Sequence, residues 1–144
     1  MSLPATLDSA AVTAHLREHL ALCEELLGLA TRESQALRGP GAFEAFEFFQ
    51  QRRSLLARLD QSLQGLRAHR LVWQRLDATE RARYPDIAGL LRAGQDLTMR
   101  VLVLERENEQ ALLRRGLVPP RHLSCVQHQR PHYVADLYRR HAGS

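Results

Sequence analysis

Residues 42–76 read AFEAFEFFQQRRSLLARLDQSLQGLRAHRLVWQRL, and their spacing decides the fold class. Phe46, Phe49, Leu56, Leu59, Leu63, Leu66 and Trp73 recur at steps of three and four, interrupted around Arg52/Arg53 and at Arg70. Such an apolar stripe between charged and amide residues marks one face of an amphipathic helix. No proline or turn cluster breaks these 35 residues, so a continuous helix would be about 52 Å long at 1.5 Å per residue. A helix of that length in a small protein needs partners of similar length. The stretch therefore reads as the middle helix of a hairpin array.

The flanking sequence supplies two such partners. On the N-terminal side, residues 1–6 contain Pro4 and form a lead-in, and Asp8 or Ser9 can cap a helix by accepting a first-turn N–H. Val12, Leu16, Leu20, Cys23, Leu27, Ala30 and Leu37 then form a stripe, widened by Leu22, Leu26 and Leu29 until it can touch two neighbours. Gly39-Pro40-Gly41 ends this helix, and so short a connection predicts antiparallel neighbours. On the C-terminal side, Asp77-Ala78-Thr79-Glu80 reads as a capping-box start of a short turn, and Tyr84-Pro85-Asp86 introduces a third long helix to about Arg115. That helix places Ile87, Leu90, Gly94, Leu97, Val101, Leu104 and Leu112 on one face, with Asn108 in the same row. Gly116 and Pro119-Pro120 stop it. The expected architecture is all-α: an elongated bundle of three long antiparallel helices over residues 1–116, with a basic, His-rich, partly ordered tail over 117–144. Within the tail, a short helix is expected over 133–140.

At 144 residues the chain is one domain. Its 44% hydrophobic and 25% charged residues are ordinary for a soluble protein, and no run of about 18 apolar residues is present to insert stably in a membrane. The N-terminal MSLPATLDSAAV lacks the basic and apolar regions of a secretory signal, so a cytoplasmic location is expected. All 20 basic residues are arginine, a bias that fits GC-rich coding as readily as phosphate binding. Charge is uneven. Residues 1–50 carry seven acids against three arginines, and residues 51–144 carry seventeen arginines against nine acids. This favours pairing within the chain as much as an acidic partner.

Signatures of catalysis are missing: G-x-x-x-x-G-K-[ST], G-x-G-x-x-G, G-x-S-x-G and H-E-x-x-H do not occur. No enzyme activity and no cofactor are expected. His122, Cys125, His128 and His132 have ligand chemistry suited to zinc, but Pro131 interrupts the row and the basic tail disfavours a cation, so solvated histidines are the reading adopted. His15 and His19 lie four apart on the first helix, where phosphotransfer competes with a plain solvated edge. Cys23, on the apolar face, reads as a small hydrophobe. The pairs Arg52/Arg53, Arg114/Arg115 and Arg139/Arg140 are dispersed among acids, which speaks against a nucleic-acid interface. Asn108, in line with Leu104 and Leu112, either fixes helix register or faces a partner's groove.

The order of LLGLATRESQALRG, QQRRSLLARLDQSLQGL and LVLERENEQALLRRG on successive helices resembles the FlgN-type flagellar export chaperones. The matching features are Glu33 near the end of the first helix, Arg53 before Leu55-Leu56 and Asn108 before Leu112-Leu113, over roughly residues 10–118. The family usually has lysine where Arg53 stands, and the tail matches it little. The resemblance implies a non-catalytic, ATP-independent chaperone of flagellar type III export. Such a protein holds C-terminal helical segments of hook-filament junction proteins and delivers them to the export apparatus. Expected cargo contacts are Leu112, Leu113, Leu117, Val118, Leu123, Val126, Tyr133, Val134, Leu137 and Tyr138, apolar residues beyond what a hairpin can bury. The alternatives are a helical adaptor that homodimerises through the same stripes, and a FliT-type chaperone with another flagellar cargo.

Overall fold

A computed structural model describes residues 7–117 together with Tyr138 and His141. Among them are three long helices and one short one: α1 (Ser9–Arg38), α2 (Ala45–Arg75), α3 (Ala78–Arg81) and α4 (Pro85–Arg114). There is no strand among the described residues.

Local chemistry sets each boundary. Asp8 caps α1 by accepting the Ala11 N–H at 3.1 Å. Gly39 closes α1 by donating to the Gln35 carbonyl, and Gly41, at φ 101°, takes the left-handed conformation open to glycine. The second helix begins three residues later than the stripe suggests. No side chain caps it at Glu44; instead Phe43 and Phe48 stack with ring centroids 5.3 Å apart across the helix start, as a hydrophobic staple does. Phe46, expected in the stripe, falls in this first turn and is exposed.

After α2, Asp77 and Glu80 exchange backbone and side-chain hydrogen bonds in a full capping box. Arg81 then donates to the carbonyls of Trp73 and Gln74, satisfying the end of α2. Pro85 occupies the first turn of α4, where a missing N–H costs nothing. The far end is a Schellman closure: Gly116, at φ 75°, donates to Leu113 and Leu117 donates to Leu112 at 2.9 Å. Arg115 reaches across to the carbonyls of Gly39 and Gly41, tying the end of α4 to the α1–α2 turn.

The helix on which the others pack is α1. It makes extensive contact with both α4 and α2 and contributes the largest share of buried residues. The reason is its wide apolar face: Leu26, Leu29 and Ala30 are all essentially inaccessible beside Val12, Leu16, Cys23 and Leu37. Along α1 from His15 through His19 and Glu25 to Glu33, the hydrogen-bonded partners on α2 descend from His69 through Ser62 and Arg58 to Arg52. The partners on α4 ascend, from Gly94 beside Leu20 to Asn108 beside Ala30 and Glu33.

Apolar burial is divided along this axis. One cluster joins Cys23, Leu26, Leu59, Leu63 and Val101. A second joins Val12, Leu16, Leu66 and Ile87, flanked by Trp73, Tyr84, Leu90 and Leu91. Fully burying a leucine or isoleucine contributes about 1.5–3 kcal/mol, so these layers are the main attraction between the helices. No helix among the described residues is long and apolar enough to cross a membrane.

Candidate functional site

Two polar constructions interrupt the apolar seam. The first lies where the C-terminal part of α1, the N-terminal part of α2 and the C-terminal part of α4 meet. Arg52 grips Glu33 through both terminal nitrogens, at 3.1 and 2.8 Å, and donates through Nε to Glu105 at 3.0 Å. Asn108 donates to Glu33 Oε1 at 3.0 Å and to the Ala30 carbonyl at 2.9 Å. All four side chains are buried, so one guanidinium is shared between two carboxylates away from water. Burial pushes the Glu105 carboxyl above its ordinary range, with Arg52 opposing that push. The charges of the two carboxylates raise the Arg52 guanidinium above its ordinary value despite desolvation, so it stays charged.

Spacing alone could have selected these residues. Arg52 is three after Phe49 and four before Leu56, and thus falls inside the α2 stripe, whereas Arg53, the position suggested by family resemblance, points out and is exposed. Glu105 similarly completes the row Val101, Glu105, Asn108, Leu112, all buried; Leu104, expected there, is only half-buried. Of the two roles open to Asn108, the bonds to Ala30 and Glu33 are those of a residue fixing α1 against α4.

The second construction is a groove of about 240 Å³ between α1, α2 and α4, lined mainly by apolar side chains including Leu16, Leu20, Leu63, Leu66, Ile87 and Leu91. His19, His69, Arg70 and Gln95 supply its polar edge, and Tyr138 from the tail also lines it. The Tyr138 hydroxyl lies 2.7 Å from His19 Nε2 and 3.5 Å from Cys23 Sγ, while His19 Nδ1 lies 2.9 Å from Ser62 Oγ. His19 is thus a buried, fully partnered imidazole, which corrects the expectation of a solvated edge. Desolvation, aided by the nearby Arg70 charge, pulls its pKa down to about 4, so it is neutral at pH 7. A neutral imidazole holds one N–H. It donates from one nitrogen and accepts at the other, and the hydroxyls of Ser62 and Tyr138 can serve either role. Burial also pushes the Cys23 thiol up and holds the Tyr138 phenol far above its ordinary value, so both stay protonated.

Three residues after Tyr138 in the sequence, His141 donates to Asp60 at 2.5 Å, and Arg70 donates to the His141 carbonyl. Tyr138 and His141 therefore dock on the bundle rather than standing clear of it.

The expected cargo contacts separate into different environments. Leu112 is 2% exposed and belongs to the core, Leu113 is 53% exposed, and Leu117 is half-buried. Tyr138 is half-buried in the groove. Val118, Leu123, Val126, Tyr133, Val134 and Leu137 lie outside the described residues, as do His122, Cys125, His128 and His132. Among the described residues, no group of three or more His, Cys, Asp or Glu could hold a metal. Of the arginine pairs, Arg52 and Arg115 are engaged internally, and Arg139/Arg140 lie outside the described residues.

No protein-family model matches this chain, and no curated protein or solved structure does.

Proposed function

We propose that this chain is a three-helix antiparallel bundle of the FlgN chaperone type: cytoplasmic, non-catalytic, and built to hold a partner's amphipathic C-terminal helix during flagellar export. The observation that carries this reading is the groove between α1, α2 and α4, walled mainly by apolar side chains, with the Tyr138 hydroxyl meeting His19 at its polar edge. An apolar trough with a few directed polar groups is what a helix-in-groove partner requires: apolar anchors at helical spacing for affinity, and one or two hydrogen bonds for register. Leu113, exposed at the end of α4, and Leu117, half-buried after it, extend the apolar surface available to cargo at the opposite end. The carriage of Glu33 and Asn108 within one buried cluster agrees with the resemblance in residue type.

The decisive experiment is calorimetric titration of the full chain with the C-terminal segment of a hook-filament junction protein from the same organism. One-to-one binding at micromolar affinity or tighter, with a negative heat-capacity change, supports the assignment. Flat heats with both partners folded reject it.

A self-associating helical adaptor is the second reading, favoured by Met99 and Val103, exposed apolar residues four apart on α4. Sedimentation separates the two. A tight homodimer lost on Met99→Glu supports the adaptor, and a monomer that becomes a 1:1 complex with cargo supports the chaperone.

A further inference from the structure

At the edge of the groove, the α1–α2 interface carries a pair of imidazoles that the Arg52 cluster and the His19 contacts do not involve. His15 Nδ1 and His69 Nε2 face each other at 3.0 Å, with ring centroids 5.0 Å apart and planes tilted by 56°. The nitrogens are closer than the ring centres, so the rings meet through their nitrogens and not face to face. In the metal-free pair one ring donates its N–H and the other accepts.

We propose that His15 and His69 form an interhelical binding site for a divalent late transition metal, Ni(II) or Cu(II) by preference. A metal 2.0–2.1 Å from each nitrogen, the usual metal–imidazole length, sees ligands 3.0 Å apart at an angle of about 95°. That is a cis pair in a square or octahedral coordination sphere, the geometry favoured by Cu(II) and Ni(II). Tetrahedral Zn(II) would need the nitrogens roughly 3.3–3.4 Å apart, so the two rings would have to spread from their 3.0 Å approach.

The protons balance without a co-reactant. Two neutral imidazoles hold one N–H each. The donor ring moves its bridging proton through solvent to its outer nitrogen, leaving both inner nitrogens free to bind the metal. Water fills the other positions, reaching them through the open depression beside His15. His19, next along α1, is excluded because both its nitrogens are engaged. Bound metal would cross-link α1 to α2 at the edge of the groove that His69 also lines.

The test uses the untagged full chain and Ni(II) as probe, since Ni(II) does not oxidise the cysteine thiols. With free Ni(II) at about one hundred times its dissociation constant, Tm should rise by roughly 5–10 °C. His15→Gln and His69→Gln should each abolish the rise, while the triple variant His122→Gln/His128→Gln/His132→Gln should retain it. Zn(II) at equal concentration should raise Tm less. The proposal is overturned if Ni(II) leaves the wild-type Tm unchanged, if the rise survives either of the two single substitutions, or if the tail variant removes it.

Discussion

Replacing Arg52 by methionine should be the most damaging single substitution on α2. The change keeps an unbranched stem of similar length but removes the guanidinium, leaving Glu33 and Glu105 as buried carboxylates with no countercharge between them. Breaking a buried ion pair from one side costs about 3–5 kcal/mol, because the remaining charge stays desolvated. For a domain of this size that is a large part of a total of about 5–15 kcal/mol, and a Tm fall of roughly 10–20 °C is expected. Arg53→Met, one residue along and exposed, should change stability by less than about 0.5 kcal/mol. Urea unfolding of the two variants side by side, followed by circular dichroism, gives both numbers. The triple variant Glu33→Met/Arg52→Met/Glu105→Met should recover stability to within about 1 kcal/mol of wild type, or exceed it, because burying apolar groups of similar volume avoids the desolvation penalty. An Arg52→Met loss under about 1 kcal/mol, or a larger loss for Arg53→Met, would refute the assignment of the buried cation.

Three further outcomes follow from the same geometry. Glu105 has a raised folded-state pKa, so its contribution to stability is present below the unfolded carboxyl value and is lost as pH rises through the folded value; the stability gap between wild type and Glu105→Gln, measured by urea melts at pH 5 and pH 8, should therefore shift against wild type at pH 8. His19 has a lowered pKa, so the folded state binds fewer protons than the unfolded chain between about pH 4 and 6.5. Wild type should lose stability as pH falls through that window, and His19→Gln should lose less; equal slopes would mean that His19 is not desolvated. Tyr138→Phe removes the hydroxyl bonded to His19 Nε2, and should cost about 1–2 kcal/mol by thermal melt while leaving the helical signal unchanged. An unchanged melt would show that the phenol does not dock.

How much was legible in the sequence depended on the range of the interaction. Helix ends were legible, because Asp8, the Gly39-Pro40-Gly41 break, the Asp77/Glu80 box and Gly116 act on groups within a few residues. The choice between Arg52 and Arg53 was not, although the spacing contained it. Adjacent residues on a helix point about 100° apart, and an arginine inside an apolar row reads as an interruption until carboxylates from two other helices are seen to meet it. His19 was hidden in the same way. It continues the row Val12, Leu16, Cys23, Leu26, but the partners that make its burial tolerable, Ser62 and Tyr138, are 43 and 119 residues away.

The central role of α1 has a related cause. The 42–76 stripe is long, but a narrow face serves one neighbour. A helix in contact with two neighbours must be apolar over a wider arc, which increases burial, as Leu26, Leu29 and Ala30 show. Breadth of the apolar arc therefore identifies the helix on which the other two long helices pack. Polar residues on that broad face are then the informative ones. Glu33 and His19, both on α1 and both buried, each recruit one partner from α2 and another from beyond it: Arg52 and Asn108 in one case, Ser62 and Tyr138 in the other. Apolar layers alone would tolerate a helix sliding by one turn, since leucine meets leucine again. Two three-element polar contacts on one helix do not tolerate it, because a slide would leave each buried donor and acceptor without its partner.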